Sequence, residues 1–370
     1  MAKSPEKLLN LALQGGGAHG AYTWGVLDRL LEEEDLEIHA VSGTSAGAMN
    51  AAMLASGYRR GGREGAKKKL QEFWWEVSVM GAWFNPVRTS LMDELQHHWG
   101  LDNNLPYQWV ELMVRLFSPA QLNPLNINPL RGLLKRLLDI EAINAGGQIP
   151  IFVTATNVHS GQPRVFKCEE ITVDVLMASA CIPFYSQAVV VDGVPYWDGG
   201  YMGNPSIWPL IYNTHIHDVL LVQINPIYRD TTPTSAHEII NRLNEINFNA
   251  SLIDEMRAVN FVTKLIREGR LDKSEYKDMH MHMIPSPDVA YGLDASSKMN
   301  TDWGFFQFLK DIGRRAAETW LKENKTHIGV RGTVDIESEF LGITKPDIHK
   351  IHQKSPDPTP EDQVKKRARA

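Results

Sequence analysis

One stretch limits what this chain can fold into: Val41-Ser-Gly-Thr-Ser-Ala-Gly-Ala48, which reads G-x-S-x-G with Gly43, Ser45 and Gly47 in place. It lies between a short apolar run, Ile38 to Val41, and a helix-forming segment, Ala46 to Ser56. A strand that turns sharply into a helix at such a pattern leaves the serine hydroxyl exposed at the apex, a nucleophile elbow. Glycines are needed because the serine backbone is strained and neighbouring chain comes close, where a Cβ would clash. Thr44 and Ala46 complete the elbow. A small-residue turn capped by Thr44 or Ser45 would read the same way, so the flanking chain has to decide.

Upstream, Leu8 to Leu13 is an almost continuously apolar run, as expected for a strand covered on both faces of a parallel sheet. It is too short for a signal peptide, Asn10 interrupts it, and no small-residue cleavage site follows. It runs into Gln14-Gly-Gly-Gly-Ala-His-Gly20, after which Ala21 to Glu34 carries Tyr22, Val26, Leu27, Leu30 and Leu31 at helical spacing. Strand, glycine loop and helix also open a dinucleotide site, and G-x-G-x-x-G can be laid on Gly15, Gly17 and Gly20. The next strand, however, ends in the serine elbow where an acidic ribose ligand would be wanted, so no cofactor is expected. The loop instead predicts a concave nest of backbone N–H groups from Gly15, Gly16, Gly17, Ala18, His19 and Gly20 at a helix N-terminus. Such a nest suits the oxyanion formed when a serine attacks an ester. With the first two strands parallel, nest and Ser45 would share one carboxyl edge of the sheet.

Residues 58 to 72 change character: Arg59, Arg60, Arg63, Lys67, Lys68 and Lys69 stand against a single Glu64 up to that point. A solvated helix face and attraction to anionic lipid headgroups both fit. From there to about residue 128 the pattern is irregular and aromatic-rich, with Phe73, Trp74, Trp75, Trp83, Phe84, Trp99, Tyr107, Trp109 and Phe117, and it holds half of the chain's 10 tryptophans. An insertion of this kind is core, or walls an acyl-chain pocket, or dips into a membrane interface. Asn128 to Ile143 reads as one amphipathic helix, with Leu130, Leu133, Leu134, Leu137 and Leu138 on its stripe.

Pro150 to Thr156 is a predicted strand, Thr172 to Ala180 a small-residue helix stopped at Pro183, and Ala188 to Val191 and Val194 to Trp197 a hairpin joined by Asp192-Gly193. The turn accounts for Asp192 and leaves Asp198-Gly199-Gly200 without such a reason; the two glycines would let a carboxylate enter a crowded site. Asp218 to Ile224 is a further strand, Ser235 to Glu268 a long helix with Ile239, Leu243 and Ile246 near helical spacing, and Asp302 to Lys325 the last amphipathic helix. His280-x-His282 and His215-x-His217 each place two imidazoles on one strand face, with no third ligand signalled, so no metal is expected.

With 43% apolar and 22% charged residues and a net charge of −6, the chain is an ordinary globular one and bulk nucleic-acid binding is not expected. Cys168 and Cys181 make no disulfide framework, which fits a reducing, cytoplasmic compartment. No run of about eighteen uninterrupted apolar residues occurs, so membrane contact is expected to be peripheral. Oligomeric state leaves no mark in the sequence.

Four blocks in order, Gly-Gly-Gly-Ala-His-Gly-Ala-Tyr, Gly-Thr-Ser-Ala-Gly, Ala178-Ser-Ala-Cys-Ile-Pro183 and Asp198-Gly-Gly with Asn204-Pro205 after it, closely resemble the patatin-like phospholipase family over residues 8 to 210. The resemblance implies an α/β fold with three α/β/α layers, a mainly parallel central sheet and a Trp-rich helical insertion. On this reading residues 1–210 are the catalytic core, with 58–128 inserted as a lid or lipid contact. Residues 211–354 then complete the domain with a helical extension, and 355–370 form a Pro-rich, basic, disordered tail. It also implies a serine-aspartate dyad, with Ser45 as acyl nucleophile, Asp198 as base, Gly199 and Gly200 supporting it and the Gly15–Gly20 loop as oxyanion hole. The substrate would be a phospholipid or other acyl ester, cleaved without calcium. A Ser-Asp-His triad is open by chain order, since His215, His217, His280 and His282 follow Asp198. A thioesterase or acyltransferase with the same dyad, and a non-catalytic lipid-binding protein, are the alternatives. The family usually carries arginine or lysine where this chain has His19, which leaves a fixed positive charge at the nest unaccounted for.

Overall fold

In the computed structural model, residues 7–84, 99–101, 104–145, 148–286, 293 and 295–342 are described, the side chains of Trp83, Phe84, His237 and Ala295 excepted. Eight strands form one sheet: β1 (Lys7–Leu13), β2 (Leu36–Thr44), β3 (Ile151–Asn157), β4 (Pro163–Phe166), β5 (Val189–Val191), β6 (Val194–Asp198), β7 (Asp218–Val222) and β8 (His280–Ile284). Their order is β5-β6-β3-β2-β1-β7-β8, with β4 paired to β3. The strands β3-β2-β1-β7-β8 are mutually parallel, and β4, β5 and β6 run antiparallel to their neighbours.

β1 is central, and its side chains alternate between two buried faces. Leu9, Leu11 and Leu13 pack into a core shared with α1 (Gly20–Leu30), α2 (Ala46–Phe84) and residues of 303–324. Asn10 points the other way and donates to Thr214 Oγ1 at 2.9 Å, while Ser42 of β2 donates to the Ser206 carbonyl at 2.5 Å. Helices therefore cover both faces, giving three layers around a sheet with the period-two burial of a strand. What looked like a secretory h-region is the middle of this sheet.

The chain is more helical than its sequence suggests. α2 runs from Ala46 to Phe84, interrupted only at Gly61 and Gly62, where Gly62 has φ 60°. The Trp-rich insertion, expected to be helical although its apolar pattern is irregular, is helix as far as Phe84; 85–98 and 102–103 of it lie outside the described residues. The aromatic residues there divide: Phe73, Trp74, Trp99 and Tyr107 are buried, and Trp75, Trp109 and Phe117 are exposed. Trp74 donates to Asn50 Oδ1 at 3.0 Å and Trp99 stacks 5.2 Å from Phe305. The basic run is largely tied down. Arg63 donates to the carbonyls of Leu31 and Leu36, Lys67 pairs with Glu32 at 3.1 Å and Arg60 with Asp139 at 2.7 Å. Leu36 opens β2 and Ser45 follows its end, so Arg63 anchors the edge of the sheet opposite the elbow.

The remaining helices are α3 (Leu105–Leu116), α4 (Pro119–Leu122), α5 (Pro129–Leu137), α6 (Ile140–Asn144), α7 (Val173–Ser179), α8 (Trp208–Asn213), α9 (Ala236–Arg267), α10 (Trp303–Asn324) and α11 (Ile336–Glu339). The single helix expected over 128–143 is two, because Leu138 turns extended and the Asp139 carboxylate caps α6 by accepting from Ala142 N at 3.0 Å. α9 has the expected start, a Ser235–Glu238 capping box, and Gly269 follows its end in the left-handed region. Its first-half stripe of Ile239, Leu243 and Ile246 is exposed rather than in the core. Residues 7–334 form one compact unit; of the second unit, Asp335 caps the short α11.

α1 and α10 cross at backbone contact: a methyl on Gly25 would sit 2.0 Å from the Lys310 carbonyl oxygen. Gly132 of α5 is exposed with nothing within 4 Å of that position. Gly25→Ala is expected to lower the free energy of unfolding by about 1–3 kcal/mol. Gly132→Ala is expected to raise it by up to about 1 kcal/mol, both read by urea denaturation.

Candidate active site

β2 ends at Thr44 and α2 begins at Ala46, and Ser45 between them has φ 54°, a left-handed conformation rare for a residue with a Cβ. Holding it there costs on the order of 1–3 kcal/mol and requires surroundings that over-determine the backbone. Those surroundings are specific. The Ser45 amide donates to Ser179 Oγ at 2.9 Å, and Ser179 Oγ donates to the Thr154 carbonyl at 2.6 Å. Thr44 Oγ1 donates to the Gly203 carbonyl at 2.6 Å. A methyl on Gly47 would lie 2.2 Å from the Leu13 carbonyl oxygen, so the first turn of α2 lies directly on the end of β1.

The glycine loop starts where β1 stops. Gln14 pins it to the end of β7, its Oε1 accepting from Ile224 N at 2.8 Å and Asn225 N at 2.9 Å. Gly15 N donates to Asn204 Oδ1 at 2.7 Å, and Asn225 Nδ2 donates to the Gly15 carbonyl at 2.9 Å. Gly15 lies against the serine, and a methyl there would be 2.7 Å from Ser45 Cβ. The loop then winds through a short 3-10 turn into α1, with His19 N donating to the Gly16 carbonyl at 3.2 Å. Among the described residues the amides of Gly16, Gly17 and Ala18 have no acceptor.

Asp198 is the last residue of β6. Ala155 pairs with Asp198 across one strand boundary and Thr154 with Thr44 across the next, which brings the carboxylate to Ser45. Asp198 is buried, and burial pushes its carboxyl up to about 6, opposed by the Gly200 amide, which donates to it at 2.7 Å, and by the nearby Ser45 hydroxyl. Its backbone is fixed on both sides: Asp198 N donates to the Cys181 carbonyl at 2.8 Å and Thr156 Oγ1 donates to the Asp198 carbonyl at 2.8 Å. Gly199 presses on Thr154, where a methyl would lie 2.1 Å from the carbonyl oxygen.

His19 does not carry the missing charge. It is buried with Nε2 2.7 Å from Ser297 Oγ, and burial, then Lys298 and Arg229, hold its pKa down to about 3. The later histidines lie elsewhere. His282 and His280 contact Asp218 at 3.0 and 3.3 Å where β7 and β8 begin, about 15 Å along the strands from the Ser45 edge, and His215 stacks on His39. Among the described residues no histidine bonds Ser45 or Asp198, and no group of three or more His, Cys, Asp or Glu is placed to hold a metal. Cys181 is buried and burial raises its thiol to about 11; Cys168 is half-buried.

The sequence placed Ser45, Asp198 and the glycine loop, and the structure brings them together. It adds Gln14, Ser179, Asn204 and Asn225, none of which the sequence reading assigned a task. Ser179 and Asn204 sit inside the recognised blocks, so position was their one available signal.

A serine at a strained strand-to-helix turn, an amide-lined loop and a buried carboxylate thus lie together at the carboxyl edge of a mainly parallel sheet. The sequence profile of the patatin-like phospholipases matches residues 11–211, more than half of the chain, and the chain belongs to that family. Comparison with curated protein sequences gives no match. Among solved structures it is similar to VipD from Legionella pneumophila, at 16% identity and a TM-score of 0.34, covering 85% of this chain and 67% of that one. It is also similar to full-length ExoU, solved with SpcU, from the type III secretion system of Pseudomonas aeruginosa. Identity there is 18% and the TM-score 0.28, over 67% of this chain and 51% of that one. This chain thus spans from about half to two thirds of those chains.

Ser179→Ala removes the acceptor of the Ser45 amide while leaving the fold's core intact. Both buried hydrogen bonds of Ser179 Oγ are lost, and the loosened elbow is expected to lower kcat on an ester substrate by about 10- to 100-fold. Circular dichroism should be unchanged.

Proposed function

We propose that this protein is a lipid acyl hydrolase in which Ser45 is the nucleophile and Asp198 its base. The observation that carries the reading is the buried Asp198 carboxylate, brought beside Ser45 by the strand register, with burial raising its acid to about 6. A carboxylate at its ordinary value is a weak base for a serine proton, and one held near the working pH is better matched. Asp198 takes the proton as Ser45 Oγ attacks the ester carbonyl, and the amides of Gly16, Gly17 and Ala18 receive the oxyanion. The C–O bond to the alcohol then breaks and the alcohol leaves with the proton from Asp198. Water, deprotonated by the same carboxylate, attacks the acyl-enzyme, releasing the fatty acid and restoring Ser45.

The lipid reading has support outside the site. Along α3, Leu105, Trp109, Leu112 and Leu116 recur at helical spacing and are 68%, 63%, 45% and 62% exposed. Phe117, Leu122, Leu125 and Ile127 continue this apolar surface. Gln187 Nε2 donates to the Asn123 carbonyl at 2.7 Å, tying it to segment 181–187, which bears exposed Phe184 and contacts Asp198 through Cys181. An apolar surface of this extent beside an acyl-transfer site fits a membrane or micelle face. No described helix is long and apolar enough to cross a membrane.

Ser45→Ala and Asp198→Asn are each expected to abolish phospholipid hydrolysis, and a fluorophosphonate should add to Ser45, read by peptide mass spectrometry. Undiminished hydrolysis by Ser45→Ala would sink the proposal. In the native protein the acid limb of kcat/KM should rise through pH about 6, because the base must be ionised. Stability runs the opposite way. Between 3.8 and about 6 the folded state binds the proton that the unfolded state has released, so stability falls as pH rises through that window. The gap corresponds to about 3 kcal/mol, and Asp198→Asn should therefore gain up to that amount at pH 8 and nothing below pH 4. Trp109→Glu with Leu112→Glu is expected to reduce hydrolysis of vesicle phospholipid at least about 10-fold and leave a soluble short-chain ester unaffected.

A further inference from the structure

The glycine loop meets a cationic side chain that arrives from outside the family-matched region. Residues Ala295–Met299 form a 3-10 turn lying on the loop. Gly17, with φ 58°, is pressed against it: a methyl there would be 2.4 Å from the Lys298 carbonyl oxygen and 3.4 Å from Lys298 Cβ. The half-buried Lys298 ammonium donates to Asn225 Oδ1 at 2.7 Å, and Asn225 passes the contact on to the Gly15 carbonyl at 2.9 Å. The ammonium also lies 6.0 Å from the ring centre of Phe248, whose edge is 3.0 Å from where a methyl on Gly200 would be. Lys298 thus stands between the loop and the Asp198 side of the site.

Among the described residues no carboxylate pairs with Lys298; Glu245 acts on it at longer range and is itself held by Arg229 at 2.5 Å and Arg242 at 3.0 Å. Among the described residues the charged and titratable groups that face Lys298 are His19, Arg229 and Glu245. A desolvated ammonium without a counter-ion is costly. Such a cost is offset when a negative charge arises nearby, and charge that exists only in the transition state is what raises kcat. The neutral state of His19 follows from the same arrangement, since Lys298 opposes a second cation there.

We propose that Lys298 supplies the positive charge that the glycine loop itself lacks. It acts through Asn225 and the backbone from Gly15 to Gly17 as a positioning residue that favours the oxyanion on the Ser45 ester adduct over the ground-state ester. The inference rests on Ser45 being the nucleophile.

The test uses the full chain, a soluble chromogenic ester, and the variants Lys298→Met, Lys298→Arg and Ser45→Ala. Lys298→Met should lower kcat about 10- to 100-fold with KM changed less than about twofold, and Lys298→Arg should retain most activity. Burial and Arg229, against the pull of Glu245, hold Lys298 at about 8. The native pH profile should therefore fall above about 8, Lys298→Arg should extend the plateau upward, and Lys298→Met should lack the upper limb. Two outcomes overturn the role of Lys298: unchanged kcat in Lys298→Met, or an upper limb that stays at the same pH in both variants. If Lys298→Met does not fold, Lys298→Arg alone decides through that limb. An active Ser45→Ala overturns the reading of the nucleophile instead, so the two failures are separable.

Discussion

The close approach of Gly15 to Ser45 is the constraint on which the rest of the site depends. Its backbone is near enough that any side chain would collide with Ser45 Cβ, and Gly47 meets the end of β1 in the same way from the other side. Two parallel strands that end side by side thereby bring a serine hydroxyl and unpaired amides together without a dedicated scaffold. Gln14, Asn204 and Asn225 hold this apposition by spanning β1, the chain after β6 and the end of β7. The strained φ of Ser45 is sustained by the same contacts, together with Ser179 on the side of β3.

The electrostatics of the site follow from burial more than from ion pairs. Among the described residues no cation pairs with Asp198, and its pKa is raised by burial against the opposing bond from the Gly200 amide. Glu255, also raised to about 7, shows that such a shift alone does not mark chemistry. It accepts from the amides of Ile207 and Trp208 at 2.6 and 2.8 Å and secures the chain entering α8. Among the described residues the apolar stripes of α3 and of the first half of α9 are exposed, which suits the apolar phase of the proposed function.

Much of this was legible in the sequence because it is local. The apolar runs became strands, Asp192 and Gly193 took φ 49° and 80° in the predicted hairpin turn, and Ser235 with Gly269 bounded α9. The failures are tertiary. Gly61-Gly62 looks like a terminus, yet α2 resumes after it because Phe73 and Trp74 find a buried face against Phe306. The leucine stripe of 128–143 hides a break at Leu138, since Asp139 serves both as a cap and as partner of Arg60. The tryptophans share composition but not environment, and Lys298 has no motif at all. Its relation to Gly17 exists only once the chain has returned to the loop.

The position of β1 has a consequence for how the chain comes together. Its second neighbour, β7, begins at Asp218, and β8 follows at His280, so the strand carrying the glycine loop is an open edge until those residues have been made. A nascent chain holding only residues 11–211 would display the elbow sequence on a sheet whose central strand is half-paired and apolar. The sheet that carries the elbow closes only when chain far downstream of Ser45 arrives, so on the proposed reading the site is completed long after its nucleophile has been made.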